Sequence, residues 1–219
     1  MLRSLVGSEM CIRDRSWVTP SWEMPAIYMQ TNAIGTINLF EAMRNQNCKA
    51  KVFLSCTPEE FGDVPEGMIP ITEETRIHPI NPYAASKHCI EYIPHDNCVA
   101  MRFHTVYSET PRLNMFFDKL ISGKLEYVTN HTRDFVHVDD VCEAVVVLMN
   151  TDFRGPIDIG TGQSVKVSDI SPNLPIKPGM AGERPDTLAD ITKMRELGWE
   201  PKWSVKKFLD EQGYEHKLK

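Results

Sequence analysis

The sequence lacks several features that would assign it to a class at once. It has no cysteine pair at C-x-x-C spacing and no His–Cys spacing typical of zinc, so we expect no metal site. Its six cysteines lie in a chain of 219 residues, and reduced thiols are expected rather than a disulfide framework. The longest uninterrupted apolar stretch, Ala144 to Met149, is much shorter than the roughly 20 residues of a membrane-spanning helix. No membrane partner is therefore expected.

Positive charge is not in excess either. The formal net charge is −6, from 24 Lys and Arg against 30 Asp and Glu. A chain of this balance is not typical of nucleic-acid binders, whose affinity depends on a basic surface. We expect no nucleic acid as a partner, and a cytoplasmic location, because the N-terminus also lacks the apolar core of a secretory signal.

The first fifteen residues, MLRSLVGSEMCIRDR, show neither helical nor strand periodicity. They resemble translated sequencing-adapter sequence, and the alternative is a disordered natural extension. We interpret 1–15 as a non-native or disordered leader and leave it out of the fold prediction.

The most informative stretch is NPYAASKHCIEY, which predicts a helix because a proline stands at its start. Tyr83 and Lys87 are four residues apart and so share one face of this helix. A phenol with a pKa of about 10 is a poor base at neutral pH, but a neighbouring ammonium favours the phenolate. The pair could act as a base and its tuning group, although a single Tyr-x-x-x-Lys also arises by chance.

A short apolar run from Lys51 to Ser55 predicts a buried parallel strand upstream of that helix. Thr57 follows the end of this strand, where sites form in open α/β sheets. Thr57 and Tyr83 can then face one crevice. The alternative is that Ser55 and Thr57 are ordinary turn residues.

Other elements are predicted from the same patterns. The spacing predicts a long helix over Pro25 to Met43 and a strand over Cys98 to Phe103. Gly123 to Val138 is predicted to form two short strands around a polar turn. Either Asp139 or Asp140 is expected to cap a helix over Val141 to Met149.

Three ordered motifs carry a resemblance to a known family: Ser55-Cys-Thr-Pro-Glu-Glu-Phe-Gly62, Asn81-Pro-Tyr-Ala-Ala-Ser-Lys87 and Thr132-Arg-Asp-Phe-Val-His-Val-Asp-Asp140. Together they resemble the extended short-chain dehydrogenase/reductases that act on nucleotide sugars, the NAD-dependent epimerases and dehydratases. The resemblance begins near Ser16 and continues almost to the C-terminus.

The resemblance implies an α/β fold, a Rossmann-like doubly wound parallel sheet with a small C-terminal α/β substrate lobe. The remaining part of the NAD-binding domain is expected over 16–110, and the substrate lobe over 111–219, with 133–160 returning to the NAD-binding domain. Neither G-x-x-G-x-x-G nor G-x-G-x-x-G occurs anywhere in the chain. The sheet is therefore expected to be incomplete, with the first βαβ units missing and the chain N-terminally truncated.

The resemblance also implies roles for particular residues. Thr57, Tyr83 and Lys87 are the expected catalytic residues, and Tyr83, Lys87, Asn32 and Ser55 are expected at the cofactor, NAD. Asn32 could equally be a packing residue. No metal is implied, and the intact parent protein is expected to be a homodimer through the helices of Gly35 and Tyr83.

The substrate is expected to be a nucleotide-diphosphate sugar. Arg133 and Arg184 match positions that contact the diphosphate. Thr105 and Arg112 fit the spacing with which similar UDP-uronate 4-epimerases hold a sugar carboxylate. The pattern departs from those enzymes at three positions, Ser108, Glu109 and Asn114. Arg112 and Arg184 could also be solvated loop residues.

Glu59 keeps a second activity open, because 4,6-dehydratases and UDP-glucuronate decarboxylases of similar pattern also have Glu there. The prediction is a 4-epimerase working through a 4-keto intermediate, with dehydratase or decarboxylase as the alternative. A non-catalytic ligand-binding protein and an inactive truncated homologue are the alternatives of another class. His137 is a further candidate catalyst, but in an alternating F-V-H-V strand it is expected to be structural.

Overall fold

A computed structural model describes residues 16–64, 70, 75–93, 96–180 and 182–219. The predicted leader over 1–15 lies outside these residues. The described part contains no helix that is both long and apolar enough to cross a membrane.

Within the described residues, six strands form two sheets. Their bounds are β1 Val52–Cys56, β2 Cys98–Phe103, β3 Thr105–Tyr107, β4 Thr132–His137, β5 Gly155–Ile159 and β6 Ser164–Lys166. The first sheet has the order β1-β2-β5 with all pairs parallel, and the second has the order β3-β4-β6. In the second sheet β3 and β4 are parallel while β4 and β6 are antiparallel.

The helices connect and cover these strands. Their bounds are α1 Val18–Glu23, α2 Pro25–Tyr28, α3 Gly35–Asn45, α4 Pro82–Glu91, α5 Phe116–Ile121, α6 Val138–Met149, α7 Val167–Ile170, α8 Thr192–Glu196 and α9 Val205–Gln212. A π-helical turn, Met29–Ile34, joins α2 to α3, and a 3-10 helix, Pro58–Phe61, follows β1.

The first sheet carries the parallel arrangement that the sequence predicts. Its strands are short apolar runs, and Val99, Met101 and Ile157 lie in one buried core beneath helix α6. Apolar residues on both sides of a parallel sheet need cover on both faces, which helices supply. The predicted strand over Cys98 to Phe103 is confirmed with the same bounds. The α/β, Rossmann-like fold is thereby established for the described chain.

Helix α4 begins where the sequence predicts, and its start has a clear cause. Asn81 is the N-cap, and its Oδ1 accepts a 2.7 Å hydrogen bond from the amide of Ala84. Pro82 follows in the first turn, where the missing N–H costs nothing. The helix ends at Glu91.

Three expectations about elements need correction. The helix predicted over Pro25 to Met43 is interrupted by the π-helical turn Met29–Ile34. Only one strand, Thr132–His137, forms where two were expected between Gly123 and Val138, apart from an isolated bridge at Val128.

The third prediction that the structure corrects is the N-cap expected at Asp139 or Asp140. Helix α6 begins earlier, at Val138, and His137 is its N-cap because its Nδ1 accepts from the amide of Asp139 at 3.3 Å. The His137 imidazole nitrogen supplies the acceptor that an aspartate was expected to supply.

Candidate functional site

Tyr83 and Lys87 lie on one buried face of helix α4, one turn apart. Tyr83 is 8% exposed and Lys87 is 3% exposed. The Nζ atom of Lys87 donates a 2.7 Å hydrogen bond to the backbone carbonyl of Ser55 in strand β1. The structure therefore brings Ser55 and Lys87 together at the C-terminal end of one parallel strand, with Tyr83 one turn earlier on α4.

Thr57 lies just beyond that strand end. It is buried and caps the 3-10 helix, since its Oγ1 accepts from the amide of Glu59 at 3.3 Å. This contact uses the oxygen as an acceptor and leaves the hydroxyl proton for donation. Thr57 thus keeps a donor at the end of β1.

Asn32 connects the π-helical turn to helix α4. Its Nδ2 donates a 2.9 Å hydrogen bond to Ser86 Oγ, and Ser86 in turn donates to the backbone carbonyl of Tyr83 at 2.8 Å. Both side chains are buried. The predicted Asn32 therefore lies beside the Tyr83 segment, within a chain of hydrogen bonds that holds its backbone.

Glu59, Arg133 and Arg184 form a charged group next to this site, in which Arg184 is buried and Glu59 and Arg133 are half-buried. Burial raises the pKa of the Glu59 carboxyl, and the Arg184 and Arg133 guanidinium groups oppose that shift. Burial likewise lowers the pKa of both arginines, and Glu59 opposes it. The Oε2 atom of Glu59 is buried and has no hydrogen-bond partner in the part of the chain that the structure describes. Charges of both signs are thus held away from water.

Arg184 is the most unusual member of this group, at 1% exposure. Its Nη1 donates to the backbone carbonyl of Pro58 at 2.5 Å, while Nε and Nη2 are buried and have no hydrogen-bond partner among the described residues. A buried guanidinium with unused N–H groups is costly unless a ligand accepts from it. Arg184 therefore has the geometry of an anion-binding residue.

The protein supplies hydrogen-bond partners for more of the guanidinium nitrogens of Arg133 than of Arg184. Its Nη1 donates to the backbone carbonyls of Thr132 and Pro185 at 2.8 and 2.9 Å, and its Nη2 lies 3.0 Å from His131 Nδ1. These contacts join β4 to the segment that carries Arg184. They hold Arg133 in place next to Glu59 and Arg184.

The two residues predicted at a sugar carboxylate, Thr105 and Arg112, lie in β3 and in the segment that follows it. Thr105 is half-buried at the start of β3. Arg112 is exposed, donates from Nη1 to Ser16 Oγ, and lies over the Trp17 ring at 5.1 Å from its centroid. In the described ranges no hydrogen bond or ion pair joins Thr105 to Arg112, and their roles stay predictions.

His137 is packed as a structural residue. Its ring stacks on Trp203 with centroids 4.4 Å apart, and its Nδ1 caps helix α6. This agrees with the structural interpretation made from the alternating strand pattern.

Sequence reasoning missed Asp134, which is fully buried in β4. Its carboxylate accepts from the amide and hydroxyl of Thr161 at 2.7 Å each, from the Gly162 amide at 2.9 Å and from the Ala189 amide at 3.1 Å. The backbone must approach closely here, because a Cβ added to Gly160 would lie 2.5 Å from Ala189 Cβ. The glycines of the Ile159-Gly-Thr-Gly162 turn were the available signal.

Sequence reasoning also missed a second buried charged group, formed by Glu60, Arg102 and Glu91. The Arg102 guanidinium lies between the two carboxylates, 2.7 Å from Glu60 and 3.0 Å from Glu91, measured from Nε. No motif in the sequence pairs these three positions, so no signal identified them.

One cavity of about 480 Å³ opens elsewhere, between β4, β6 and the start of α9. Gln163, Lys166 and Lys217 are among its lining residues, and none of the predicted site residues lines it. The expected chemistry thus lies outside this cavity.

Known proteins resemble this chain over most of its length. Residues 15–174 match the family profile described as GDP-mannose 4,6 dehydratase. A Methanocaldococcus jannaschii protein named "Putative UDP-glucose 4-epimerase" is 30% identical, over 86% of this chain and 70% of its own length. A UDP-glucuronate 4-epimerase of Thermodesulfobacterium geofontis is 26% identical, over 93% of this chain and 70% of its own.

Among solved structures, MoeE5 in complex with UDP-glucuronic acid and NAD is similar, with a TM-score of 0.74 and 25% sequence identity. The match covers 89% of this chain and 73% of MoeE5. Sequence and structure thus agree on the same group of proteins.

Proposed function

Since the chain belongs to the NAD-dependent nucleotide-sugar epimerases and dehydratases of the extended short-chain dehydrogenase/reductase family, we propose that it is a nucleotide-sugar 4-epimerase. Members of this family are enzymes. The proposed substrate is a UDP-uronate, and the proposed reaction passes through a 4-keto intermediate. The single observation that carries the proposal is the placement of Tyr83 and Lys87 on one face of α4, with Lys87 anchored to the end of β1.

The proposed chemistry begins with the sugar 4-hydroxyl. Tyr83, as the phenolate, accepts the proton of this hydroxyl, and the Lys87 ammonium one turn away favours the phenolate. Thr57 donates its unused O–H hydrogen to the same substrate oxygen, which fixes that oxygen beside Tyr83. When the 4-keto sugar has turned over, Tyr83 returns the proton.

Tyr83, Lys87, Ser55 and Asn32 are the residues proposed to hold NAD at its nicotinamide ribose. When bound, NAD supplies the oxidation and reduction at C4 by accepting and returning hydride. The fit is partial: the buried lysine at a parallel strand end suits a ribose, whereas the sequence has no glycine-rich turn for the pyrophosphate.

Arg184 and Arg133 are the residues proposed to hold the substrate diphosphate. Support comes from the two N–H-bearing nitrogens of Arg184 that are buried without a partner. A diphosphate oxygen would accept from them, and the resulting charge-assisted hydrogen bonds are short and strong. Thr105 and Arg112 are proposed to contact a sugar carboxylate, in line with the similarity to a UDP-glucuronate 4-epimerase.

Glu59 supports a second candidate, a 4,6-dehydratase or UDP-glucuronate decarboxylase. Its carboxyl is buried, its Oε2 has no partner, and burial raises its pKa toward the range of a general base. Such a group could remove the C5 proton once C4 is a ketone. The description of the matching family profile as a dehydratase is consistent with this candidate.

Product analysis separates the two candidates. The chain is incubated with NAD and either UDP-glucose or UDP-glucuronate, and the products are identified by NMR. A 4-epimer supports the proposed epimerase. A 4-keto-6-deoxy sugar or released carbon dioxide contradicts it and supports the Glu59 chemistry. Absence of any product would favour the non-catalytic alternative.

The homodimer is also proposed, through the helices that carry Gly35 and Tyr83. Ile34 and Leu39, next to and within α3, are 47% and 40% exposed, so this helix presents apolar surface. Size-exclusion chromatography with light scattering tests it, and a monomer at micromolar concentration would contradict it.

A further inference from the structure

Arg102 joins three elements at a buried point in the described chain. Its side chain is 9% exposed, and the carboxylate side chains of Glu60 and Glu91 are 1% and 3% exposed. Nε of Arg102 lies 3.0 Å from Glu91 Oε2 and 2.7 Å from Glu60 Oε1, and Nη2 contacts Glu91 Oε1. The bond to Glu91 is aligned, whereas the contact with Glu60 lacks hydrogen-bond alignment.

Two further contacts surround this point. His88 Nδ1 lies 2.9 Å from Glu60 Oε2, and the Arg102 guanidinium covers the Phe61 ring at 4.8 Å from its centroid. The planar guanidinium is thus held by a carboxylate pair at its edge and by a ring at its face. A lysine could not reproduce this geometry, because its ammonium is a single point of charge without a planar fork.

Each partner of Arg102 belongs to an element that carries a proposed catalytic group. Glu60 stands in the 3-10 helix that Thr57 caps, three residues after Thr57. Glu91 stands on α4, one turn after Lys87 and two turns after Tyr83. Arg102 itself belongs to β2, the central strand of the first sheet.

Lys87 and Glu91 therefore attach one face of α4 to two neighbouring strands. Lys87 bonds to β1 through Ser55, and Glu91 bonds to β2 through Arg102. Two attachments one turn apart fix both the rotation and the axial position of a helix. The contact between Arg102 and the Glu60 carboxyl adds the Thr57 turn to the same anchor.

We propose that Arg102 is a positioning residue that sets the separation between Thr57 and Tyr83, so that both hydroxyl groups reach one substrate oxygen. This inference rests on the proposed 4-epimerase. Arg102 itself touches neither substrate nor cofactor in this scheme. Its effect is on turnover, because a misplacement of about 1 Å in a reacting group can lower the rate about 100-fold.

The test compares Arg102→Lys with a matched control, Arg195→Lys. Arg195 also forms a two-point pair with a glutamate, Glu200, at 2.8 and 2.7 Å, but that pair is exposed and far from the site in sequence. We expect Arg102→Lys to lower kcat about 10- to 100-fold with KM changed less than about threefold. Arg195→Lys is expected to leave both constants unchanged.

A second measurement does not depend on the substrate. Hydrogen–deuterium exchange is compared between the wild type and Arg102→Lys at a temperature well below unfolding. Faster exchange confined to segments 57–61 and 83–91 is expected. Equal exchange there, or an equal rise throughout the chain, would contradict positioning.

The outcomes distinguish this inference from the proposed function. If no UDP-sugar is epimerised by the wild type but exchange rises in the two segments, the epimerase proposal fails and the anchoring by Arg102 stands. If the wild type is an epimerase and Arg102→Lys keeps full kcat, Arg102 is not a positioning residue. A parallel fall of kcat in Arg195→Lys would also overturn the inference, because the effect would not be specific to the buried anchor.

Discussion

The Nζ atom of Lys87 donates a 2.7 Å hydrogen bond to the carbonyl oxygen of Ser55, so a buried ammonium joins helix α4 to the end of strand β1. This contact holds the charge one turn from Tyr83. It unites two motifs that are separated by 32 positions in the chain.

Replacement of Lys87 by Met tests the electrostatic role of this ammonium. We expect kcat to fall at least about 100-fold at pH 7, because Tyr83 loses the charge that favours its phenolate. The remaining activity should rise as pH approaches about 10, the ordinary pKa of a phenol. The measurement is kcat from pH 6 to 10, with Lys193→Met as control. An unchanged pH profile would exclude the role.

Replacement of Tyr83 by Phe separates catalysis from binding. The ring is retained, and with it the edge contact with Tyr28 at 6.4 Å, so the free energy of unfolding should change by less than about 1.5 kcal/mol. Turnover should fall about 100- to 10,000-fold, the range typical of a lost proton-transfer group. Tyr92→Phe, at a 60% exposed position, is the control. Full activity in Tyr83→Phe would favour a non-catalytic binding protein.

Replacement of Arg184 by Met should weaken UDP binding. Two charge-assisted hydrogen bonds of about 1.5 kcal/mol or more each would be lost, so the Kd should rise by about 100-fold. Isothermal titration with UDP measures this, and Arg195→Met serves as an exposed control. A Kd equal to that of the wild type would mean that the unpartnered nitrogens of Arg184 do not face the diphosphate.

Glu60 predicts a specific pH dependence of stability. Burial, followed by the nearby Glu91 carboxylate, raises the pKa of Glu60 to about 8, against the opposing charge of Arg102. The groups that face it are Arg102 from β2, Glu91 and His88 from α4, and Asp158 from β5. The folded state therefore holds this proton more tightly than the unfolded state does.

The tighter binding of this proton in the folded state sets the sign of the pH dependence. Between the ordinary carboxyl pKa of about 4.5 and a pH of about 8, Glu60 makes the free energy of unfolding decrease with rising pH, by up to about 1.4 kcal/mol per unit. Glu60→Gln should remove this contribution. Urea unfolding of the wild type and Glu60→Gln is measured at pH 5, 6, 7 and 8. The difference between their free energies of unfolding is the quantity of interest, because the contributions of the other titrating groups are common to both proteins and cancel. A difference that does not vary with pH would contradict the shifted pKa.

Replacement of Asp134 by Asn should destabilise the fold. Four donors point at the Asp134 carboxylate, and an amide would place its own N–H groups against some of them. We expect a loss of about 2 to 4 kcal/mol in the free energy of unfolding, measured with urea, because buried donors are left unpaired. Asp96→Asn, at an exposed position, should change it by less than about 0.5 kcal/mol.

The secondary-structure elements that the sequence predicted correctly are those determined by residues adjacent in the chain. The start of α4 was predictable because Asn81 and Pro82 carry the signals of a helix N-terminus, and β2 because an apolar run is bounded by polar residues. The roles given to Tyr83, Lys87 and Thr57 came from motif resemblance and stay predictions, although the structure gathers these residues at one strand end.

Features that depend on distant partners were not predictable. Arg102 contacts Glu91 eleven residues away and Glu60 forty-two residues away, a pairing for which sequence offers no period. The cap of α6 was predicted at an aspartate because a side-chain oxygen there can accept from the first amides of the helix, whereas packing against Trp203 and Tyr107 holds the His137 ring in that position. The π-helical turn has no single-sequence signature.

That turn, Met29–Ile34, makes the helix more tolerant of shortening than of lengthening. A π-helical turn accommodates one residue more than a regular turn, so deleting one residue within it would give regular α-helix and leave the flanking residues in their present orientation. A residue inserted into the regular part of the helix has no such turn to take it up, and because each residue of an α-helix turns by about 100°, everything before the insertion would rotate by that angle. Tyr28, which is 2% exposed, packs on Tyr83 and donates to the Trp17 carbonyl, would then face another direction. An insertion would thus separate the first half of this helix from the Tyr83 helix, whereas a deletion within the turn would not.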